Sequence, residues 1–342
     1  MKKHIQLFFW CLIAVNFIFP VQSSYAQETT LSYANFFPLT HFNSILIDEW
    51  CREIEKQTDN KIKINHFPGE TLLKGKDIFN GIEKGIADIG MSCFAYTRGR
   101  FPAMEALDLP IGYKDGVTAT IVANAFLKQF EPTELDKVKV LYLHAHGPGL
   151  LHTKKPVSRL EDIKGMKIRA TGFSANIASA LGAVPVGMGQ GDAYEALQKG
   201  IVEGTFAPIE TLMGWKQAEL VKYTINCFSV GYTTAMFVVI NKQKWDSLPE
   251  EVQKIFETTS HNWIAKHAKG WDVADNEAKE YCTSIGNKMI DFSDEEQKRW
   301  SEAASPVIDD YIARTAKKGL PAEQYIEFLK NAINTVDESS LY

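Results

Sequence analysis

The sequence predicts two α/β lobes joined by tight connections, with a helical C-terminal region. Strand and helix patterns alternate from about residue 31 to residue 241, which is typical of βαβ units and mostly parallel sheets. Beyond about residue 249 the pattern becomes almost entirely helical. No repeat, low-complexity segment or flexible linker interrupts the chain, so the lobes are expected to pack closely rather than to form separate beads.

The first 26 residues have the layout of a secretory signal peptide. A basic start at Lys2 and Lys3 precedes an almost wholly apolar run over residues 5–21, and Ser24 and Ala26 are the small residues of a cleavage site. A retained membrane anchor is the alternative. No later window is apolar enough to span a membrane, so the mature protein is expected to be exported and soluble.

Charge and cysteine usage narrow the function classes. The net charge of −5 becomes more negative once the two signal-peptide lysines are removed, which argues against a nucleic-acid partner. Cys51, Cys93, Cys227 and Cys282 show no CxxC spacing. One disulfide is compatible with an oxidising compartment, but buried free thiols are the simpler interpretation.

The first predicted elements form a βαβ unit. A strand over 31–37 precedes a helix over 41–57, whose apolar residues fall on one stripe. The alternating strand over 61–67 is stopped by Pro68-Gly69. A helix over 77–84 then ends at a glycine, and residues 86–91 form the next strand.

The remaining strands lie between short helices. They are predicted at 138–144, 166–170, 184–188, 202–207 and 233–241. In the C-terminal region, a helix begins with Pro249 in its first turn, and the main break is a short strand over 288–293 that ends at the helix cap Ser293.

No catalytic or cofactor motif is complete. Residues 90–94 begin like a G-x-S-x-G nucleophile elbow but lack its second glycine, and residues 187–191 miss the G-x-G-x-x-G spacing. His144 and His146 share a strand face and could bind a metal, yet neither HExxH nor CxxC accompanies them. The alternative is a chain bend at residues 147–149. We therefore expect no cofactor, no metal and no enzyme activity.

Arg169 is the most informative single residue. It ends a predicted strand just before a helix that starts near Gly172 and Ser174. Ligands of open α/β sheets bind beyond the carboxyl ends of the strands, and a helix N-terminus favours anions. The guanidinium fork matches a carboxylate in two parallel hydrogen bonds. From the residues alone, Arg169 is either this anion ligand or a solvated surface charge.

Five blocks of sequence carry a family resemblance. LEDIKGMKIRATG and ALGAVPVGMGQGDAYEALQKGIVEGTFAPIE are similar to the central region of the extracytoplasmic solute receptors of TRAP transporters, the DctP-type family. ANFFPLTHFN, together with DEWCREIEKQTDNKIKINHFPGETLLKGKDIFNGIEKGIADIG, is similar to that family's opening βαβ unit, and NKQKWDSLPEEVQKIFE resembles its later strand-to-helix turn. The resemblance covers essentially the whole mature chain. It implies a type II-like, two-lobed periplasmic binding protein that closes on an organic acid anion.

The resemblance also implies how the chain is organised and with what it works. Lobe I would comprise residues 27–146 and about 233–272, and lobe II residues 147–232 and about 273–342. The lobes would rotate about crossing strands near 146–149 and 231–233. The partners would be the small and large integral-membrane permease subunits, the location the periplasm of a Gram-negative bacterium, and the receptor a monomer.

In this family an arginine at the position of Arg169 pairs with the ligand carboxylate. Sialic-acid-type members place an asparagine where Ala207 stands, a second arginine near Gly149, and acidic residues near Lys74 and Gly75. A pocket without these groups favours a monocarboxylate with an aromatic or other apolar body. The expected ligand-binding residues are Arg169, Gly172, Phe173, Gln190, Phe206, Ala207, Glu210, Phe94, His41, Tyr232, Thr234 and Gly149.

Several alternatives remain at this point. A C4-dicarboxylate or another small organic acid would want a second cation, for which His41 or His146 could be weak substitutes. A ligand sensor for signalling would have the same fold and site. A periplasmic enzyme would need a nucleophile, a metal or an acid–base pair, none of which the motifs supply.

Overall fold

The computed structural model describes residues 28–336, and the predicted signal peptide lies outside these described residues. The strands are β1 (Thr29–Asn35), β2 (Ile62–Phe67), β3 (Ile89–Cys93), β4 (Val138–Ala145), β5 (Leu150–Thr153), β6 (Lys167–Ala170), β7 (Val184–Gly187), β8 (Gly204–Ala207), β9 (Tyr223–Asn226), β10 (Ala235–Asn241) and β11 (Lys288–Asp291). The helices are α1 (Phe42–Gln57), α2 (Ile78–Glu83), α3 (Gly116–Phe130), α4 (Gly172–Ala180), α5 (Gln190–Gln198), α6 (Glu210–Gly214), α7 (Lys242–Ser247), α8 (Glu250–Ser284), α9 (Asp294–Ala304), α10 (Pro306–Ala316) and α11 (Ala322–Thr335).

Two sheets form the cores of two lobes, as the sequence predicts. The lobe I sheet has the order β2-β1-β3-β10-β4, and the lobe II sheet has the order β11-β9-β5-β8-β6-β7. β1 runs parallel to β2 and β3, and β6 runs parallel to β7 and β8. The carboxyl ends of these parallel strands face the cleft between the lobes, where ligands of such sheets bind.

The sheets are more mixed than the expected mostly parallel arrangement. β10 is antiparallel to β3 and β4, and β5 is antiparallel to β8 and β9. Each of these antiparallel strands follows a crossing between the lobes, because a chain that returns through the hinge enters the next sheet from the cleft side. Alternating patterns cannot reveal this direction, since β5 and β10 are buried on both faces.

The chain crosses between the lobes at residues 146–149 and 227–234. The two crossings are bonded to each other, since the Thr233 hydroxyl donates to the His146 carbonyl at 2.6 Å and the Gly149 N–H donates to the Tyr232 carbonyl at 2.8 Å. The sequence places the crossings near 146–149 and 231–233, within these segments. The cleft and its hinge are therefore built from the same short stretch of backbone.

The C-terminal helices pack differently from the expected lobe assignment. Helix α8 contributes Trp271 to the lobe I core and Cys282 to a lobe II core. Residues 273–342 were expected in lobe II, but Tyr325 of α11 packs against Phe126 and Phe130 of α3 in lobe I, with ring centroids 5.2 and 4.7 Å apart. The apolar face of α11 packs against α3, so this C-terminal helix belongs to lobe I.

Two further sequence predictions concern the cysteine thiols and membrane-spanning helices. Cys51, Cys93, Cys227 and Cys282 are buried free thiols, which confirms the simpler of the two interpretations. Between residues 28 and 336, no helix combines the length and the apolar character needed to cross a membrane.

Candidate ligand-binding site

A cavity of about 40 Å³ lies in the cleft between the lobes. Both lobes contribute to its walls, and the crossing segments close one side. It is lined by Phe36, Phe37, Cys93, Tyr96, His146, Arg169, Thr171, Gln190, Phe206, Ala207, Pro208, Glu210, Thr211, Trp215, Tyr232, Thr234, Met236 and Trp271. A second, more open cavity of about 600 Å³ adjoins it and shares Tyr96 and Thr171 as lining residues.

Arg169 is buried in this cleft at the carboxyl end of β6. Its residue is 4 % exposed, and two backbone carbonyls hold the guanidinium: Nε donates to Met188 at 3.2 Å and Nη1 donates to Phe206 at 3.3 Å. No acidic side chain lies within ion-pair distance of it among the described residues. A buried cation without a counter-charge is costly, so binding of an anion beside Arg169 would be electrostatically favourable.

Two further donors lie beside this charge. The side-chain amide nitrogen of Gln190, in the first turn of α5, is buried without a hydrogen-bond partner among the described residues. The Tyr96 hydroxyl oxygen accepts the Gln190 backbone N–H at 2.9 Å, which leaves its own proton to donate. Burial raises the pKa of Tyr96 above its ordinary value, so the hydroxyl keeps that proton. Arg169, Gln190 and Tyr96 can together satisfy a carboxylate.

Glu210 supplies a charge of the opposite sign on the cavity wall. It opens α6, and its Oε2 lies 3.0 Å from His41 Nε2 across the two lobes. The Asn43 N–H donates to His41 Nδ1 at 3.2 Å, so Nδ1 carries a lone pair and Nε2 carries the proton. In this arrangement His41 is the neutral tautomer that donates to a Glu210 carboxylate.

Neither histidine suggested as a second cation carries a charge here. His41 is held neutral by the hydrogen bond from Asn43. Burial lowers the pKa of His146 to about 4, against an opposing hydrogen bond with the Gly147 carbonyl. Of the residues that line the cavity, Arg169 is therefore the one with a permanent positive charge.

Rings form most of the remaining wall. Phe36, Phe37 and Trp215 cluster with centroid separations of 4.1 to 6.3 Å, and Phe206 lies 6.3 Å from Tyr232. An apolar cavity of about 150 Å³ holds one benzene molecule, so 40 Å³ is too small for an aromatic body. Such a ligand would require opening of the lobes or displacement of a ring such as that of Trp215, which is only partly buried.

Seven of the twelve residues expected from the sequence line this cavity: Arg169, Gln190, Phe206, Ala207, Glu210, Tyr232 and Thr234. The other five lie elsewhere. Phe94 packs in the lobe I core, 5.0 Å from Phe101, because it follows a fully buried strand. Phe173 packs against Tyr311 at 5.7 Å, Gly172 borders the second cavity, and Gly149 lies behind the Tyr232 ring. His41 contacts Glu210 rather than the cavity.

The sequence interpretation missed several lining residues. The clearest is Trp271, which reaches the cavity from the middle of α8 and carries no motif. Its indole N–H donates to His144 Nδ1 at 3.0 Å. No cluster of three or more metal-binding side chains occurs in the part of the chain that the structure describes.

His152 provides a test of pH dependence. Its Nε2 donates to the Ala207 carbonyl at 3.1 Å and its Nδ1 accepts from Thr224 at 2.9 Å, while burial lowers its pKa to about 4. Below the unfolded pKa near 6.5, the unfolded chain binds a proton that the folded chain does not. Stability is thus complete above pH 6.5 and is lost as the pH falls towards 4, by up to about 1.4 kcal/mol per pH unit.

We expect the free energy of unfolding of His152→Gln to depend less on pH than that of the wild type. Urea denaturation between pH 7.5 and pH 4.5 would measure the free energy of unfolding. The buried His144, His146 and His267 contribute with the same sign, so the free energy of unfolding of the wild type falls steeply as the pH is lowered. In H152Q one of these four contributions is absent. The exposed His261→Gln is the matched control. Equal slopes in H152Q and H261Q would contradict the expectation.

Comparison with known proteins agrees with the fold. The family described as bacterial extracellular solute-binding protein, family 7 (DctP) matches residues 36–315. A TRAP periplasmic solute-binding protein from Desulfovibrio salexigens superposes with a TM-score of 0.80 at 30 % identity, covering 91 % of this chain and 97 % of that one. It was solved in an open form.

Two further relatives differ in what they bind. A marine metagenome TRAP solute-binding protein specific for aromatic acid ligands, solved with 3-hydroxybenzoate, superposes with a TM-score of 0.85 at 26 % identity over 91 % of this chain and 99 % of that one. The C4-dicarboxylate-binding periplasmic protein DctP of Rhodobacter capsulatus is 26 % identical over 78 % of this chain and 82 % of its own length. The chain belongs to bacterial extracellular solute-binding protein family 7, the DctP family of TRAP solute receptors.

Proposed function

We propose that the protein is the periplasmic receptor of a TRAP transporter and that it binds a small organic acid through an ion pair between Arg169 and the ligand carboxylate. The observation that carries this proposal is a buried guanidinium in the inter-lobe cleft with no acidic partner among the described residues. Gln190 and Tyr96 supply neighbouring donors. The protein acts by binding and not by catalysis.

The ligand we propose is a monocarboxylate with an aromatic or other apolar body. Arg169 is the fixed cation of the cavity, whereas His41 and His146 are neutral, which disfavours a dicarboxylate. The wall contains the rings of Phe36, Phe37 and Trp215. The relative that binds aromatic acids supports this choice, and the relative that binds C4-dicarboxylates supports the alternative.

Transport would follow from lobe closure. A ligand entering the open cleft pairs with Arg169, and rotation about the two crossing segments then buries the ion pair. Electrostatic attraction strengthens as water is excluded, which favours the closed form when ligand is present. The closed receptor would dock on the small and large membrane subunits and release its cargo there.

A thermal-shift screen of carboxylates tests the proposal. Aromatic monocarboxylates, short aliphatic monocarboxylates, C4-dicarboxylates and sugar acids would be compared with neutral amides of the same acids. A ligand present at about 100 times its Kd stabilises the folded protein by about 2.7 kcal/mol, which raises the Tm by several degrees. We expect monocarboxylates with apolar bodies to give the largest increase and the amides to give none. Stabilisation by sugar acids alone would exclude the apolar ligand class, and no response to any carboxylate would exclude the receptor function.

A further inference from the structure

We propose that the cargo carries a hydrogen-bond donor, a hydroxyl or an ammonium group, in addition to its carboxylate, and that Glu210 accepts this donor. The inference rests on the proposed function and adds a second recognition element to it. It assigns the ligand to the hydroxy- and amino-substituted carboxylic acids. The unsubstituted parent acids would be poor cargo.

Glu210 is buried and accepts a hydrogen bond from His41. Its residue is 3 % exposed, and the neutral His41 donates to Oε2. His41 donates this hydrogen bond from a neutral ring, and no Lys or Arg side chain lies within ion-pair distance of Glu210 among the described residues. A carboxylate has about four acceptor positions, and this one receives a single side-chain donor among the described residues.

A second carboxyl group lies next to Glu210. The neighbouring carboxyl of Asp275 accepts the Glu210 backbone N–H at 3.0 Å. Burial raises the pKa of Asp275 well above its ordinary value, and the charge of Glu210 raises it further. The raised pKa favours the protonated form of Asp275, whereas Glu210 Oε2 accepts the hydrogen bond from His41 and lines the cavity.

The Glu210 carboxyl and the Arg169 guanidinium occupy separate positions in the cavity. Glu210 and Arg169 line the same cavity, yet no ion pair joins them within 4.0 Å. The Arg169 guanidinium binds the Phe206 carbonyl, whereas Glu210 contacts His41 beside the rings of Phe37 and Trp215. The cavity therefore has a positive site and a separate negative site, with apolar rings around them. A ligand that is anionic at one end and donates a hydrogen bond at the other complements both.

A purely structural role for Glu210, as partner of His41, would not require it to line the cavity. A neutral amide could accept the same hydrogen bond, without the cost of burying an uncompensated charge. Leaving the second carboxylate oxygen without a protein donor is also costly unless the ligand supplies one. The charge and its position are explained together when the ligand completes the hydrogen bonding of Glu210.

Glu210→Gln tests this directly because it keeps the size of the side chain. In E210Q the amide oxygen accepts from His41, and the amide NH₂ that remains is a donor, which cannot accept from the ligand. Isothermal titration would compare benzoate with 3-hydroxybenzoate and 3-aminobenzoate, and propionate with 3-hydroxypropionate and 3-aminopropionate. Glu219→Gln makes the same chemical change at an exposed position in the same lobe and serves as the control.

The wild type and E219Q should bind a substituted acid about tenfold or more tightly than its parent, since hydrogen bonds to charged groups are the strong ones. E210Q should lose most of this preference while it still binds the parent acid. Parent acids that bind the wild type as tightly as their derivatives would overturn the proposal, and so would a preference unchanged in E210Q. The same holds if the strongest binder in the carboxylate screen has no second donor. If no carboxylate binds at all, the receptor function itself fails.

Discussion

Replacing Arg169 with alanine is expected to weaken carboxylate binding by at least about a hundredfold. The ligand anion would then be buried in the closed cleft without its counter-charge, and loss of one partner of a buried pair costs roughly 3–5 kcal/mol. Arg169→Lys should give an intermediate loss, because an ammonium keeps the charge but cannot donate two parallel bonds. Isothermal titration with the strongest carboxylate of the screen would measure both affinities.

Stability without ligand separates this effect from misfolding. The wild type already buries the Arg169 charge without an acidic partner, so the ligand-free Tm of Arg169→Ala should change little. Arg159→Ala is a suitable control, since Arg159 is exposed and its ion pair is with Asp162, three residues along the chain. An unchanged affinity in R169A would show that another group binds the carboxylate.

Replacing Gly149 with alanine is expected to lower both stability and affinity. A Cβ at this position would lie 2.1 Å from the Tyr232 ring, far inside contact distance. The ring is 3 % exposed and lies 5.8 Å from His146, so it must either move into the cavity or force the two crossing segments apart. Overpacking of this kind costs about 1–3 kcal/mol. We expect a Tm lower by several degrees and an affinity at least about tenfold weaker.

Two variants make this result specific. Gly187→Ala is the control, because an added Cβ there meets nothing within 4 Å and the backbone is not in the left-handed region. In the double variant Gly149→Ala with Tyr232→Ala, the clash disappears, so the loss of stability should be smaller than the sum of the two single losses. Additive losses, or a G149A protein as stable as G187A, would contradict the clash.

The parts of the fold that the sequence could predict are those with strong local patterns. The alternation in residues 61–67 gave β2 within one residue, and Ser293, predicted as a helix cap after the short strand, caps α9. β5 and β9 were not predicted. β5 is four buried residues long and shows no alternation, and β9 is equally short. Which lobe receives α11 depends on the shape of the α3 surface, which local patterns do not encode.

The site residues likewise divide into those with a local sequence signal and those that only the fold brings together. Arg169 could be predicted because its position at the end of a strand and before a helix is written in adjacent residues. The contact between His41 and Glu210 joins residues 169 positions apart, and Trp271 arrives from a helix of the C-terminal region. Such contacts follow from how the lobes close on each other. The sequence therefore predicted both Arg169 and Glu210 as cavity residues, but not the contact between Glu210 and His41 or the contribution of Trp271.

Helix α8 has a mechanical consequence for the receptor. Its 35 residues make a rod about 52 Å long that is anchored in the lobe I core by Trp271 and in a lobe II core by Cys282. In the proposed closing motion, rotation of the lobes about the crossing segments would bend α8 between these two anchors. The bent helix would store elastic energy, which would favour one angle between the lobes and return them to it after the ligand leaves.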